Sequence, residues 1–359
     1  MLMPTYRVET PHGSYPVVVE RGVLARTVDW LPPQRGKLFV VSTEDVWRHK
    51  GAELERALGG VSYETLYLPG GEEHKRLQPV EELAERMIHL GGDRTSAVLA
   101  FGGGIVTDMA GFLAAIFMRG IPVLQAPTTL LAQVDAAIGG KTGVNLVSGK
   151  NLVGSFHQPC AVLIDPALLD SLPDREYRAG LYEILKAGII RDPGLAAFLG
   201  ESRERVLARE AKAVDRIIAD SVRLKVDVVS ADERESDLRR ILNFGHTFGH
   251  ALEAETRYTR FLHGEAVAWG MRAAIHLGQM AGYCSAEDAL DMLDLIASYG
   301  PTPPLDGIYA EDLVRRLIHD KKTVQGKVHF VLPVRVGEVA VVSDVDPATV
   351  RAAIHCALA

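Results

Sequence analysis

The sequence predicts an α/β fold in which an N-terminal domain built on a parallel sheet is followed by a mainly α-helical C-terminal domain. Three observations carry this reading. In the first half, short β-branched runs at Lys37 to Ser42 and Ser96 to Phe101 alternate with a stretch, Pro79 to Leu90, whose apolar residues recur at helical spacing. The second run passes straight into Gly102-Gly103-Gly104, a turn that opens a helix. After Leu172-Pro173-Asp174 strand signals thin out, and Leu207 to Val229 and Glu265 to Ala281 carry helical periodicity.

Strands alternating with helices are the pattern of βαβ units, whose crossovers need the strands parallel. A chain of 359 residues exceeds the size at which one core usually stops growing, so two domains are expected, 1–174 and 175–359. The boundary falls where Asp170 to Asp174 is both turn-like and a helix entry. Near the C-terminus, Val328 to Leu332 and Val339 to Val342 read as a late hairpin.

The formal net charge is -7, and no run of Lys and Arg lays a basic stripe, so nucleic acid and anionic membrane are not expected partners. Cys160, Cys284 and Cys356 lack C-x-x-C spacing, which argues against a disulfide framework or a cysteine zinc site and suits a reducing cytoplasm. The first residues lack a cationic start followed by an apolar run, so no signal peptide is expected. The most apolar stretch, Ala110 to Met118, is too short for a bilayer.

Gly102 to Gly104, after a strand and before a helix, is the context in which backbone N–H groups and a helix N-terminus hold a pyrophosphate. Its spacing is not G-x-G-x-x-G, and a plain structural turn reads equally well. Pro69 to Lys75 is a second glycine-containing turn, and Pro127-Thr128-Thr129 puts two hydroxyls at a strand's carboxyl end. Asp135 to Asn145 and Gly149 to Asn151 read as a polar, glycine-punctuated loop carrying Lys141 and Lys150, either a solvated surface or an anion site. In the helical half, His246 and His250 stand at i and i+4, His263 supplies a third imidazole, and Glu183 and Lys186 share a helix face. Imidazole and carboxylate ligands with an open position suit Zn²⁺ or Co²⁺ as a Lewis acid.

Taken together, Pro69 to Lys75, Gly102 to Phe112, Pro127 to Asn151, Leu172 to Lys186, Asp232 to His250 and Leu262 to Met271 resemble the 3-dehydroquinate synthase family, in order and over nearly the whole chain. The resemblance implies that Glu183, His246 and His263 are the metal ligands, for Zn²⁺ or Co²⁺. His250 then becomes a substrate contact or proton relay. Substrate or catalytic positions fall on Asp135, Lys141, Lys150, Asn151, Lys186, Lys225, Glu235, Arg239 and Asn243. Arg119 matches an arginine that reaches into the neighbouring subunit's site, which implies a homodimer. NAD would be held by Glu72, Lys75, Gly103, Gly104, Asp108, Thr128, Thr129 and Glu176. A late cationic contact falls within His319 to Lys322, with Lys321 and Lys322 both eligible. The metal helix reads Gly-Leu-Tyr-Glu-Ile-Leu-Lys where many relatives have Gly-Met-Ala-Glu-Val-Ile-Lys.

The activity implied is that of a lyase of the shikimate pathway, turning 3-deoxy-D-arabino-heptulosonate 7-phosphate into 3-dehydroquinate and phosphate. NAD⁺ takes the C5 hydrogen as hydride as the C5 hydroxyl loses its proton and becomes a ketone, the ketone acidifies the C6 proton so that phosphate leaves by elimination, the hydride returns, the ring opens, and an intramolecular aldol step closes the carbocycle. Two alternatives share the scaffold. One is another sugar-phosphate cyclase, such as a valiolone-type synthase. The other is a polyol-type dehydrogenase, which would not need the cations around Lys141, Lys150 and Arg239.

Overall fold

The computed structural model describes residues 4–33, 36–319 and 328–359. Two compact units are present: 1–177 with 225–234, and 178–224 with 235–359. The sequence-based division at 174 placed 225–234 in the second domain, whereas their contacts put them in the first unit.

The first unit contains β1 (Thr5–Thr10), β2 (Gly13–Val19), β3 (Leu38–Thr43), α1 (Glu44–Ala57), β4 (Tyr63–Leu68), α2 (Leu77–His89), β5 (Ala97–Gly102), α3 (Gly104–Ile116), β6 (Val123–Pro127), β7 (Lys141–Leu146), β8 (Gly149–Phe156) and β9 (Ala161–Ile164). Its sheet has the order β1-β2-β9-β6-β5-β3-β4 and is parallel except for β1 against β2. Side chains alternate across β3 as the pleat requires. Phe39 and Val41 enter one core with Leu83 and Met87 of α2 and Met109 and Leu113 of α3. Leu38 and Val40 enter the opposite core with Leu54 of α1. Covered on both faces, the central strands are apolar runs, as buried parallel sheets require.

Taken in chain order, the parallel strands β3, β4, β5, β6 and β9 lie as 2-1-3-4-5, so connections leave β3 in opposite directions. The switch point therefore lies between β3 and β5, where doubly wound sheets bind ligands beyond the strands' carboxyl ends. Gly102 ends β5 there, and Ser42 Oγ donates to Phe101 O at 2.7 Å across the same two strands.

One expectation is corrected. The stretch read as a polar loop is the antiparallel hairpin β7–β8, with Lys141 opposite Phe156 and Val144 opposite Val153. Its alternation is hidden in the sequence because Gly143 and Gly154 face each other's strands. A Cβ on Gly154 would stand 2.1 Å from Thr142 O, so glycine permits the pairing while erasing the strand signal.

A helix, α4 (Asp174–Arg191), starts in the first unit and continues in the second, followed by α5 (Pro193–Glu201), α6 (Arg203–Leu207), α7 (Ala211–Ala231), α8 (His246–Glu255), α9 (His263–Met280), α10 (Ala286–Ala297), α11 (Ala310–His319), β10 (Phe330–Arg335), β11 (Glu338–Val342) and α12 (Pro347–Leu358). β10 and β11 form the expected C-terminal hairpin. The helical stretch read from Leu207 to Val229 begins at Ala211 as α7; Leu207 ends α6, and Arg209 separates the two helices with a left-handed φ of 56°. The segment just after α7 is fastened within the first unit: Glu233 accepts from Gln158 Nε2 at 2.8 Å and meets His12 Nδ1 at 2.8 Å. In the second unit α9 is buried on nearly every face and packs against α8, α10, α12 and β10.

Candidate active site

In the first unit, α3 begins at the switch point with Gly103 as its N-cap and no side chain capping it. The first N–H groups of any helix lack intrahelical partners and carry the positive end of its dipole, so this end suits an anionic group. Thr129 stands beside it, 3.0 Å from where a Cβ on Gly103 would be, and Thr128 donates its backbone N–H to Gly102 O at 2.9 Å. Gly103, Gly104, Thr128 and Thr129 thus surround one turn.

Lys75 is buried and donates to Asp108 Oδ2 at 2.5 Å and Asn151 Oδ1 at 2.6 Å. Glu72 accepts from Asn145 Nδ2 at 2.8 Å and lies 3.3 Å from Lys150 Nζ. Asn145 Oδ1 accepts from the Asn151 backbone N–H at 2.9 Å, and Asn151 itself takes a φ of 52°. Burial raises the Asp108 carboxyl above its ordinary range, although the Lys75 ammonium pulls the other way. The structure therefore ties residues expected at the nucleotide, Glu72, Lys75 and Asp108, to residues expected at the substrate, Lys150 and Asn151. Asn145, to which the sequence assigned no role, joins the two sets.

Asp135 lies in a π-helical turn, Ala132–Ala136, an irregularity common at functional sites. It forms a close ion pair with Lys225 of α7. Lys141 is exposed at the start of β7, Glu176 is half-buried in the first turn of α4, and Arg119 is exposed in a turn where it takes a φ of 72°.

The second unit holds the imidazoles. Glu183 of α4 is 3% exposed, and neither carboxylate oxygen receives a hydrogen bond among the described residues. Lys186 lies one turn on and touches the carboxylate as an ion pair. Two imidazole nitrogens face the same oxygen: His246 Nε2 is 3.9 Å and His263 Nε2 3.8 Å from Glu183 Oε1. His246 Nδ1 donates to Phe244 O at 3.2 Å, and His263 Nδ1 lies 3.3 Å from Glu253 Oε1, so each ring is tied at one nitrogen and presents the other.

All three donor atoms lie within 4.8 Å of one another. A tetrahedral Zn²⁺ with bonds of about 2.0–2.1 Å sets its ligand atoms about 3.3 Å apart, so small side-chain rotations close the set. A buried carboxylate paired only with Lys186 among the described residues, its Oε1 facing two tied imidazoles, fits a divalent cation. His250, the other member of the i,i+4 pair, instead groups with Glu253 and His263. Glu253 was missed in the sequence. Its signal was the stripe His246, His250, Glu253 at i, i+4 and i+7 on α8.

Glu235, at a φ of 60°, accepts from Asn243 Nδ2 in a close contact, and Arg239 is buried at 1% exposure in the turn between them. Lys321 and Lys322 lie outside the described residues.

Known proteins match along the chain. Residues 65–179 match the 3-dehydroquinate synthase N-terminal family and residues 180–323 its C-terminal counterpart. The chain is 70% identical to a 3-dehydroquinate synthase of Solibacter usitatus, over 99% of this chain and all of that one. It is 46% identical to the enzyme of Koribacter versatilis, over 96% of each. Among solved structures, 2-deoxy-scyllo-inosose synthase complexed with carbaglucose-6-phosphate, NAD⁺ and Co²⁺ superposes with a TM-score of 0.89 at 28% identity, covering 98% of this chain and 99% of that one. A 2-epi-5-epi-valiolone synthase of Streptomyces hygroscopicus with NAD⁺ and Zn²⁺ bound gives 0.86 at 29%, over 96% of each.

Proposed function

The chain belongs to the 3-dehydroquinate synthase family, and from that premise we propose that it converts 3-deoxy-D-arabino-heptulosonate 7-phosphate into 3-dehydroquinate and phosphate, using NAD and a divalent metal. It is a carbon–oxygen lyase. The observation that supports this reading best is the buried carboxylate of Glu183, whose Oε2 pairs with Lys186 while its Oε1 faces the Nε2 atoms of His246 and His263.

Glu183, His246 and His263 would hold Zn²⁺ or Co²⁺, and the uncapped start of α3 with Thr128 and Thr129 would hold the NAD pyrophosphate. Bound there, the cation supplies Lewis-acid polarisation of a hydroxyl, and NAD takes up and returns one hydride. Lys186 adds positive field where an alkoxide develops. In the first unit Lys141, Lys150 and Lys225 with Asn151, and in the second Arg239 with Asn243 and His250, are charge-assisted and polar donors of the kind that a phosphate and a carboxylate need. Asp135 fixes the Lys225 ammonium, and Glu235 fixes the Asn243 amide.

We further propose a homodimer in which Arg119 completes the partner's site, supported by the resemblance and by the exposure of that side chain. No helix among the described residues is long and apolar enough to cross a membrane, and the three cysteines are unbridged, which supports a cytoplasmic setting.

Phosphate release from the heptulosonate phosphate, followed with substoichiometric NAD⁺, tests the reading. Many turnovers per NAD⁺ are expected, lost on chelation and restored by Zn²⁺ or Co²⁺. NADH accumulating in step with product would instead favour a polyol dehydrogenase, and preference for a phosphorylated ketose lacking the carboxylate would favour a valiolone-type cyclase.

A further inference from the structure

Glu253 is a buried carboxylate that the proposed reaction does not use. It is 1% exposed, on the same face of α8 as His246 and His250, and its Oε1 lies 3.3 Å from His263 Nδ1. The opposite nitrogen of that ring, Nε2, lies 3.8 Å from Glu183 Oε1. The His263 imidazole is thus bracketed by two buried carboxylates, one at each nitrogen. His246 is bracketed differently, since its Nδ1 meets a neutral carbonyl, Phe244 O, at 3.2 Å.

Burying a carboxylate is costly unless it is paired or hydrogen-bonded, so a glutamate in this place asks for a reason. Nδ1–H of His263 supplies one. Donating that proton fixes the tautomer, leaves the Nε2 lone pair directed at Glu183, and makes the ring a stronger base. The His246 contact fixes a tautomer in the same way without adding charge.

We propose that Glu253 is the positioning residue of the metal centre, setting the tautomer, orientation and basicity of His263 through Nδ1. This rests on the reading of Glu183, His246 and His263 as metal ligands. A competing use of the same atoms exists, because His250, Glu253 and His263 also lie close enough to share a second cation. That use would take the His263 Nδ1 lone pair and turn the ring into a bridge between two ions, whereas a hydrogen bond to Glu253 needs Nδ1 protonated. The 3.3 Å separation admits the hydrogen bond and also equals the spacing of two ligands on one tetrahedral ion, so the number of Co²⁺ bound per chain distinguishes the two uses.

The test is Co²⁺ affinity, measured by competition with a chromophoric chelator on the metal-free full chain, for the native protein, Glu253→Ala and Glu253→Gln. Metal-free samples are compared by far-ultraviolet circular dichroism and thermal melting. One Co²⁺ per native chain is expected. Glu253→Ala should weaken binding by about 10–100-fold, the usual consequence of removing such a partner. Glu253→Gln keeps an acceptor for Nδ1–H without the charge, so it should fall between the two while its metal-free form melts as the native chain does. It also decides the matter if the alanine variant fails to fold. The visible spectrum of bound Co²⁺ should change in Glu253→Ala. Native Co²⁺ affinity in Glu253→Gln together with Glu253→Ala, or in Glu253→Gln alone where the alanine variant does not fold, would overturn the proposal. Two Co²⁺ per native chain, with one lost in Glu253→Ala, would also overturn it, since Glu253 would then be a ligand. A native chain that binds no Co²⁺ defeats the metal reading itself, a result separate from any difference among variants.

Discussion

Gly264 approaches Ala179 so closely that a Cβ on it would stand 1.9 Å from the Ala179 carbonyl oxygen. Only glycine lets α9 start against α4 there, and the residue before it is His263, whose Nε2 faces Glu183 of α4. The next close approach is of the same kind: a Cβ on Gly270 would stand 2.0 Å from Gly245 O, holding α9 against the start of α8, where His246 lies. Three donor residues from three helices converge because glycines let the backbones touch.

Gly264→Ala should therefore lower metal affinity by at least about tenfold, and lower stability by about 1–3 kcal/mol, the usual cost of overpacking. Chelator competition and melting of the metal-free protein would measure the two separately. Unchanged affinity would show that the donors can regroup without this contact.

Tyr182 stands next to Glu183 in α4. Its ring is 1% exposed, and its hydroxyl has no hydrogen-bond partner among the described residues. Burial pushes the phenol up to about 12, with Arg178 opposing and Glu265 adding to the rise. The folded chain thus holds the proton more tightly than the unfolded chain, whose phenol titrates near 10.0. Stability from the neutral phenol is fully present below pH 10 and is lost as pH rises through the folded value, by about 2–3 kcal/mol in all. Tyr182→Phe should remove this alkaline loss and, by deleting a hydroxyl that is desolvated without a partner, stabilise the chain by about 1 kcal/mol near neutrality. Urea unfolding at pH 8 and pH 11 checks both. Destabilisation at pH 8 would mean that the hydroxyl has a partner after all.

Asp135 and Lys225 are far apart in sequence and paired in the first unit. Asp135→Asn and Lys225→Met should each lower stability, and the double variant should recover part of the loss, with a coupling of about 0.5–3 kcal/mol. Additive losses in urea unfolding would show that the pair contributes nothing beyond its separate members. Activity should vanish in Lys225→Met whatever the coupling, because the ammonium is proposed as a substrate contact.

The central strands were legible because each is buried on both faces, so Leu38 to Val41 and Ala97 to Gly102 are unbroken apolar runs. The β7–β8 hairpin was not, because glycines at Gly143 and Gly154 replace the side chains that would have shown a period of two. Nor could periodicity place the end of α7, since its assignment depends on contacts of Glu233 with His12 and Gln158, remote in sequence. At the site, spacing alone paired His246 with His250. Space pairs His246 with His263 instead, and only resemblance to a family pointed there. Glu253 escaped both routes although it continues the stripe of His246 and His250 on α8, because a glutamate on a helix face usually meets water.

The glycine turn separates two roles of glycine that the sequence could not. Gly102 is fixed by the protein: a Cβ there would stand 2.5 Å from a methyl of Val106, so Gly102→Ala should disturb the start of α3 and lower the melting temperature. Gly103 is different. Its φ of -74° is open to any residue, and the nearest atom to a Cβ is a Thr129 methyl at 3.0 Å, which needs to give only slightly. The folded chain itself therefore makes little demand for glycine at Gly103. With the NAD pyrophosphate proposed at the uncapped end of α3, Gly103→Ala puts a methyl group between phosphate and backbone N–H groups, and NAD⁺ affinity should fall at least about tenfold, about 1.4 kcal/mol, with melting nearly unchanged. NAD⁺ titration by calorimetry beside a melting curve decides it. Native NAD⁺ affinity in a folded Gly103→Ala chain would remove this turn from the cofactor site and leave it a plain link between β5 and α3.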